Sequence, residues 1–405
     1  MIKCINIADL TVGMFIHDLN CDWMSHPFLR NRFMISNEAE IRKIADSGIH
    51  EVYIDTTKGL DVVHAPTITE VKKQLESEML EIGEIRPPAV EARTTAKDEF
   101  GRARIVHEEA HQIVHGILHD VRLGKQVDLE QVAPSIERMT SSILRNNGAL
   151  LALCRIKDKD NYTFQHSVSV GALMVTFCNA LQMSKEVIHQ AGIGGMLHDI
   201  GKMKIPDEIL NKPDRLTERE FSIMKCHVIE SKAILSQADG ISETSITVAA
   251  QHHERHDGSG YPAGLKGHEI SQLGQMAAIV DVYDALTSDR CYHKGMSPTD
   301  ALRKIYEWSK FHFNPELVQA FMRTIGIYPI GTLVRLESGR LAVVIEQNEK
   351  NLVSPKVKVF FSIKSNSHIP PEIVDLARSM GHGGADRIVR HESPERWRLD
   401  PLRYL

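Results

Sequence analysis

The sequence predicts a mainly α protein, in which a central helical bundle is flanked by a small α+β N-terminal domain and a short β-rich C-terminal appendage. Three observations carry this reading. Apolar residues recur at helical spacing from about residue 100 to 325. Short β-prone runs with Gly breaks precede residue 66, and strand-like alternation follows Pro329. With 405 residues the chain is long enough for two or three domains, read here as 1–66, a helix and linker over 67–99, 100–325 and 326–405.

Taken in order, Val12–Ile16 and Val52–Ile54 are β-prone, with Gly13 marking a bend or bulge. Between them Ser36-Asn37 can cap a helix whose Ile41 and Ile44 share a face, and Gly48 supplies its stop. Trp23, Phe28 and Phe33 are read as this domain's core. A helix over Thr67–Glu84 leads into RPPAVEARTTAKDEF, whose two prolines and weak periodicity indicate a linker. Thr217-Glu218-Arg219-Glu220 is a capping box that opens a helix through Phe221, Met224, His227 and Ile234. After Pro329, Gly331–Leu336 and Leu341–Glu346 read as strands joined across Ser338-Gly339, and Lys356–Val359 alternates as a half-buried strand should.

Composition excludes several classes. The chain is 42% hydrophobic and 25% charged with a formal net charge of -5, so no basic excess points to a nucleic-acid polymer. Asp9 interrupts the opening MIKCINIADLTVGM, against a secretory signal. The most apolar stretches, Ala149–Cys154 and Gly171–Met183, fall short of the about 20 apolar residues that a membrane helix needs. Six cysteines lie scattered with no paired spacing, which fits reduced thiols in cytoplasm.

The central region places imidazoles and carboxylates where packing alone would not. His198-Asp199 closes a helix that begins near Ser184, and Lys202 returns to the same face one turn later. A single His-Asp pair is common by chance. Here His166 lies in a preceding helix, His227 in the capped helix, and His252-His253 near the end of a helix starting around Thr244. Asp281 follows the run Ala277-Ala278-Ile279-Val280, where an ionised carboxylate is costly unless paired or metal-bound. Imidazole with carboxylate and no cysteine suits borderline to hard divalent metals, iron or manganese first, with zinc, nickel or magnesium as alternatives. Seven ligands exceed one tetrahedral zinc and match two ions about 3.5–4 Å apart. Such a pair lowers the pKa of a bridging water and clamps the attacking and leaving oxygens of a phosphoryl displacement. The glycines, Tyr261 and Pro262 that follow describe a loop beside the site. Asp284 shares a helix face with Asp281, and Arg290 is either a phosphate or guanine partner or a solvated surface arginine.

These residues together resemble the HD-GYP family of bacterial cyclic-di-GMP phosphodiesterases, over roughly residues 155–325: HDIGK, the downstream His227, the HHE…GSGYP spacing and DVYDALTSDR. The first 65 or so residues resemble the uncharacterised domain often found before such modules. The resemblance implies an HD-type bundle with one metal on His166, His198, Asp199 and Asp281, and a second on His227, His252 and His253, with Asp199 bridging. It implies that Asp199 and Lys202 are catalytic, Lys202 stabilising the scissile phosphate or assisting proton transfer. Tyr261, Asp284 and Arg290 then contact the nucleotide. The implied reaction is hydrolysis of cyclic di-GMP to linear pGpG and GMP, or of 3',3'-cyclic GMP-AMP, by a metal-bridging hydroxide.

Two departures stand out. Tyr162 occupies the position where some members place a glutamate for a third metal, so two ions are expected. Cys291-Tyr292-His293-Lys294 replaces the usual Pro-Tyr followed by a cation, with Lys294 as the compensating charge. A catalytically weak dinucleotide receptor and an HD hydrolase of another nucleotide are the competing functions. Diguanylate cyclases are a further expected partner, through the GYP region, and the helices over 100–150 are a candidate homodimer surface.

Overall fold

The computed structural model describes residues 1–21, 32–84, 94–155, 162–289, 295–348, 351–378 and 385–405. Arg290, Lys294, Trp23 and Phe28 lie outside these described residues.

The N-terminal domain is a four-stranded antiparallel sheet in the order β1 (Ile2–Asn6), β4 (Glu51–Asp55), β2 (Phe15–Asp18), β3 (Phe33–Met34). Helix α1 (Glu38–Asp46) lies between β3 and β4 in sequence. Asn37 caps α1 by accepting from the Glu40 N–H, as its sequence indicates. Strand β2 starts later than the expected Val12, because Gly13 adopts φ +95° and turns the chain, which leaves Val12 exposed. The core is aliphatic, built from Ile5, Leu10, Ile16, Ile35, Ile44, Val52 and Ile54, and Phe33 only packs against its edge.

Helix α2 (Ile68–Glu84) leads to the central bundle: α3 (Ala96–Arg122), α4 (Leu129–Arg145), α5 (Asn147–Cys154), α6 (Tyr162–Ala180) and α7 (Lys185–Leu197). It continues with α8 (Asp207–Leu210), α9 (Glu218–Ser236), α10 (Glu243–Gln251), α11 (Gln272–Thr287), α12 (Pro298–Trp308) and α13 (Pro315–Ile325). The capping box at Thr217 and Glu220 forms as expected. Helix α6 packs against α7 and α11, and α10 packs against α7 and α11. Small residues make this possible: a Cβ on Gly195 would come within 2.9 Å of Met174 Cγ and 3.2 Å of the Val170 carbonyl oxygen. Phe177 and Phe321 are fully buried, with ring centroids 5.2 Å apart. The helices over 100–150 use their apolar faces, including Val114, Ile117, Leu118, Val132, Ile136 and Met139, in this shared core.

The C-terminal sheet runs β8 (Ser367–Asp375), β7 (Lys356–Ser362), β6 (Arg340–Glu346), β5 (Leu333–Leu336), β9 (Ile388–His391). Gly339, at φ +79°, turns the β5–β6 hairpin where the sequence places it. One face of the sheet, with Val334, Leu336, Ala342, Val344, Val357 and Val359, joins the helical core. The other packs Leu333, Leu341, Val343, Phe360 and Phe361 under Trp397 and Tyr404, beside the short helix α14 (Pro394–Trp397). This β-rich region is therefore built into the helical core.

The segment read as linker ends sooner than expected. Thr95 caps α3, and Glu99, inside that segment, is fully buried. Its carboxylate accepts from Arg145 Nε and Nη2, each at 2.8 Å, and from Ser142 Oγ at 2.8 Å. Burial opposes this charge, but Arg145 and Ser142 hold the carboxyl below its ordinary range. Removing one partner of a buried pair leaves the other uncompensated, so Glu99→Ala should lower unfolding free energy by about 3 kcal/mol in a denaturant titration.

Candidate metal centre

Five helices of the bundle converge on one buried point. His166 comes from α6, and His198 and Asp199 from the C-terminal end of α7. His227 comes from α9, His252 and His253 from the end of α10, and Asp281 from α11. All seven are at most 7% exposed, so they cannot be a solvated polar patch.

Asp199 sits between two groups of imidazoles. Its Oδ2 lies 3.3 Å from His198 Nε2 and 3.6 Å from His166 Nε2. Its Oδ1 lies 3.3 Å from His227 Nε2 and 3.8 Å from His252 Nε2. Asp281 closes the cluster, with Oδ1 3.1 Å from His166 Nε2 and Oδ2 3.9 Å from His253 Nδ1. The clustered ligand atoms fall into Asp199, His227, His252, His253 on one side and His166, His198, Asp199 on the other.

The rings are oriented from behind. His198, His227 and His252 each donate Nδ1–H to the carbonyl three residues earlier, Gly195, Met224 and Ala249, at 2.8, 2.6 and 2.7 Å. His166 donates Nδ1–H to Asp284 Oδ2 at 2.6 Å. Each bond fixes the tautomer, so the Nε2 lone pair faces the centre. There, His198, His227 and His252 Nε2, both His253 ring nitrogens and Asp199 Oδ1 are buried without a hydrogen-bond partner among the described residues. Orphaned nitrogens and a carboxylate oxygen converging within reach of one another are what a divalent cation satisfies, so this donor set fits metal.

The electrostatics agree. Burial pushes His252 and His253 well below the ordinary imidazole range, and neighbouring imidazoles add to it, which keeps both rings neutral. For Asp199 and Asp281 burial works the other way but is outweighed, by His198 and Lys202 in one case and His166 and His253 in the other. Both carboxyls are held well below their usual range. His198 also loses charge stabilisation on burial, yet Asp199 and Asp281 raise it overall.

The remaining sequence candidates are placed as follows. Lys202, on a 3-10 turn over Ile200–Lys204, pairs with Asp199 Oδ2. A Cβ on Gly201 would meet the His227 carbonyl oxygen at 2.1 Å, so the HDIGK turn presses directly on α9. Tyr261 stacks on His253, with centroids 4.7 Å apart at 29°. Asp284, expected to contact the nucleotide, is 4% exposed and accepts from the His166 ring through Oδ2, a position that orients this imidazole. Tyr162 stacks on His166 at 5.5 Å and brings no carboxylate to this flank.

Two residues were missed from the sequence. Glu254 is buried and accepts from the Ala263 and Leu265 N–H groups at 2.8 and 3.0 Å, folding the loop around Tyr261. Its signal was a carboxylate ahead of a Gly-rich loop whose backbone donors need acceptors. Lys225 places its ammonium 5.5 Å from the Tyr261 ring centroid, two residues before His227.

The comparisons with known proteins agree with this geometry. The HD domain family matches residues 154–317, and a domain of unknown function, DUF3391, matches residues 2–132. A cyclic di-GMP phosphodiesterase of Pseudomonas aeruginosa is 40% identical over 403 residues, covering 99% of this chain and 95% of that protein. A cyclic di-GMP phosphodiesterase of Thermotoga maritima is 40% identical over 41% of this chain and 45% of its own length. A 3'3'-cGAMP-specific phosphodiesterase of Vibrio cholerae is 38% identical over 38% of this chain and 36% of its own length. No helix of the described residues is long and apolar enough to cross a membrane. With near-complete coverage of a full-length relative and the HD domain in place, the chain belongs to the HD-GYP family of cyclic dinucleotide phosphodiesterases.

Proposed function

We propose that this protein hydrolyses a 3',3'-cyclic dinucleotide, cyclic di-GMP in the first instance and 3',3'-cyclic GMP-AMP as the alternative, at a two-metal centre. The observation that carries the proposal is the division of Asp199, whose two oxygens face two separate sets of imidazoles. His166, His198, Asp199 and Asp281 would hold one ion, and Asp199, His227, His252 and His253 the other. When bound, two divalent ions, iron or manganese first, supply positive charge to the attacking and leaving oxygens of an in-line displacement at phosphorus.

The chain's own residues do the rest. Asp284 keeps the His166 Nε2 lone pair turned inward. Lys202, 15% exposed and next to Asp199, would stabilise the scissile phosphate or assist proton transfer to the departing 3'-oxygen. A water oxygen adds to phosphorus and gives up one proton while the P–O3' bond breaks and O3' takes one, which yields linear pGpG from cyclic di-GMP. Tyr261 and Lys225 offer an aromatic face and a cation at the mouth of the site for a base and the second phosphate. Arg290 and Lys294 remain further candidates for nucleotide contact.

The test is turnover of both dinucleotides by the anaerobically purified, metal-quantified protein. Linear product with about two ions per chain is expected; full occupancy with neither dinucleotide cut would reject the proposal. Asp199→Ala should lower turnover by about a thousandfold or more and reduce metal content, with far-ultraviolet circular dichroism unchanged. Asp284→Asn, which preserves size but removes the charge behind His166, should weaken binding of one ion about 10–100-fold in a metal titration. An unchanged titration curve would remove Asp284 from that role.

A further inference from the structure

A second His/Asp cluster lies outside the metal centre. His50 of the N-terminal domain, Asp257 of the loop leading to Tyr261, and His312 between α12 and α13 bring their polar atoms within 4.8 Å of one another. It differs from the metal centre in one decisive respect: its atoms are already bonded. His50 Nε2 donates to Asp257 Oδ2 at 2.8 Å, and its ring stacks on Phe311 at 4.2 Å. His312 Nε2 donates to the Gly48 carbonyl at 2.9 Å, and the His312 carbonyl accepts from the His256 N–H at 2.9 Å. This is a joint between domains.

Its position gives it consequence. Asp257 Oδ1 accepts from both the N–H and the hydroxyl of Ser259, at 3.0 and 2.6 Å. Two residues later the Tyr261 N–H donates to the His253 carbonyl at 3.1 Å, under the stacked rings. Gly48, at φ +73°, lies so close that a Cβ would fall 2.2 Å from Ser259 Cβ. The N-terminal domain is itself held to α12: Tyr53 Oη donates to Glu307 at 2.5 Å, and Trp308 Nε1 to Asn20 at 3.1 Å. Both bonds are buried.

We propose that His50 and Gly48 are positioning residues for dinucleotide binding: they fix Asp257 and Ser259, and through them the placement of Tyr261 on His253. The N-terminal domain thereby completes the substrate site of the neighbouring domain. This rests on the phosphodiesterase reading above for its substrate, but not for its geometry.

The test uses the full-length, metal-loaded protein and the variants His50→Ala, His50→Gln and Gly48→Ala. Hydrogen–deuterium exchange across residues 254–262 is followed beside hydrolysis of cyclic di-GMP and of bis(p-nitrophenyl) phosphate, a small diester with no base to seat on Tyr261. His50→Ala and Gly48→Ala should speed exchange in this loop about tenfold, the loss of roughly one hydrogen bond to a charged group. They should raise KM for the dinucleotide about tenfold, with metal content, kcat and the small diester little changed. His50→Gln, which retains an N–H at similar reach, should restore both readouts. Unchanged loop exchange in His50→Ala and Gly48→Ala overturns the inference, as does equal loss on both diesters with loss of metal. If the wild-type protein cuts neither dinucleotide, the functional reading fails and the exchange data alone decide the positioning role.

Discussion

The molecule is organised around a buried negative charge. Asp199 is 2% exposed where α7 passes into the 3-10 turn that packs on α9, and an unpaired carboxylate there would cost several kcal/mol. The Lys202 ammonium pairs with one of its oxygens, and imidazole nitrogens that would share a divalent cation with it face both. Helices from distant parts of the sequence must meet at this point for the charge to be tolerated. The close contacts at Gly195 and Gly201 are the steric counterpart, since they bring α6, α7 and α9 near enough for the side chains to reach.

Helix ends supply the orientation. His198 and His252 cap the C-termini of α7 and α10, where carbonyls lack partners within the helix, and both rings use those carbonyls as Nδ1 acceptors. One feature of backbone geometry thus does two things: it satisfies a terminal carbonyl and sets the tautomer that aims Nε2 inward. His227, inside α9, also donates to the carbonyl three residues earlier, whereas His166, inside α6, donates to Asp284 on α11. The orientation of His166 therefore depends on tertiary packing in a way that those of His198 and His252 do not.

This distinction also explains what was legible in the sequence. Caps at Asn37 and Thr217 were readable because their partners lie within three residues. The seven clustered residues were readable because each interrupts an apolar pattern with a group that burial penalises. The bond from His166 to Asp284 was not readable, because a carboxylate three residues after Asp281 meets a histidine only through the packing of α6 on α11. Glu99 was assigned to a linker because Arg145, which makes its burial possible, lies 46 residues away. The β2 boundary slipped because one glycine at positive φ outweighed the β-propensity of Val12.

Proximity of histidines and aspartates is a weaker criterion for a metal site than the state of their hydrogen bonds. Both clusters in this protein meet a distance criterion. In the first, Nδ1 atoms are anchored while Nε2 atoms converge without partners. In the second, His50 and His312 already donate through Nε2, and an ion would have to break both bonds to enter. The same residue types thus serve chemistry in one place and domain docking in the other. What separates them is whether the fold has left the lone pairs unsatisfied. Because Asp257 and His253 belong to one continuous stretch of chain, the satisfied cluster constrains the aromatic residue that covers the unsatisfied one.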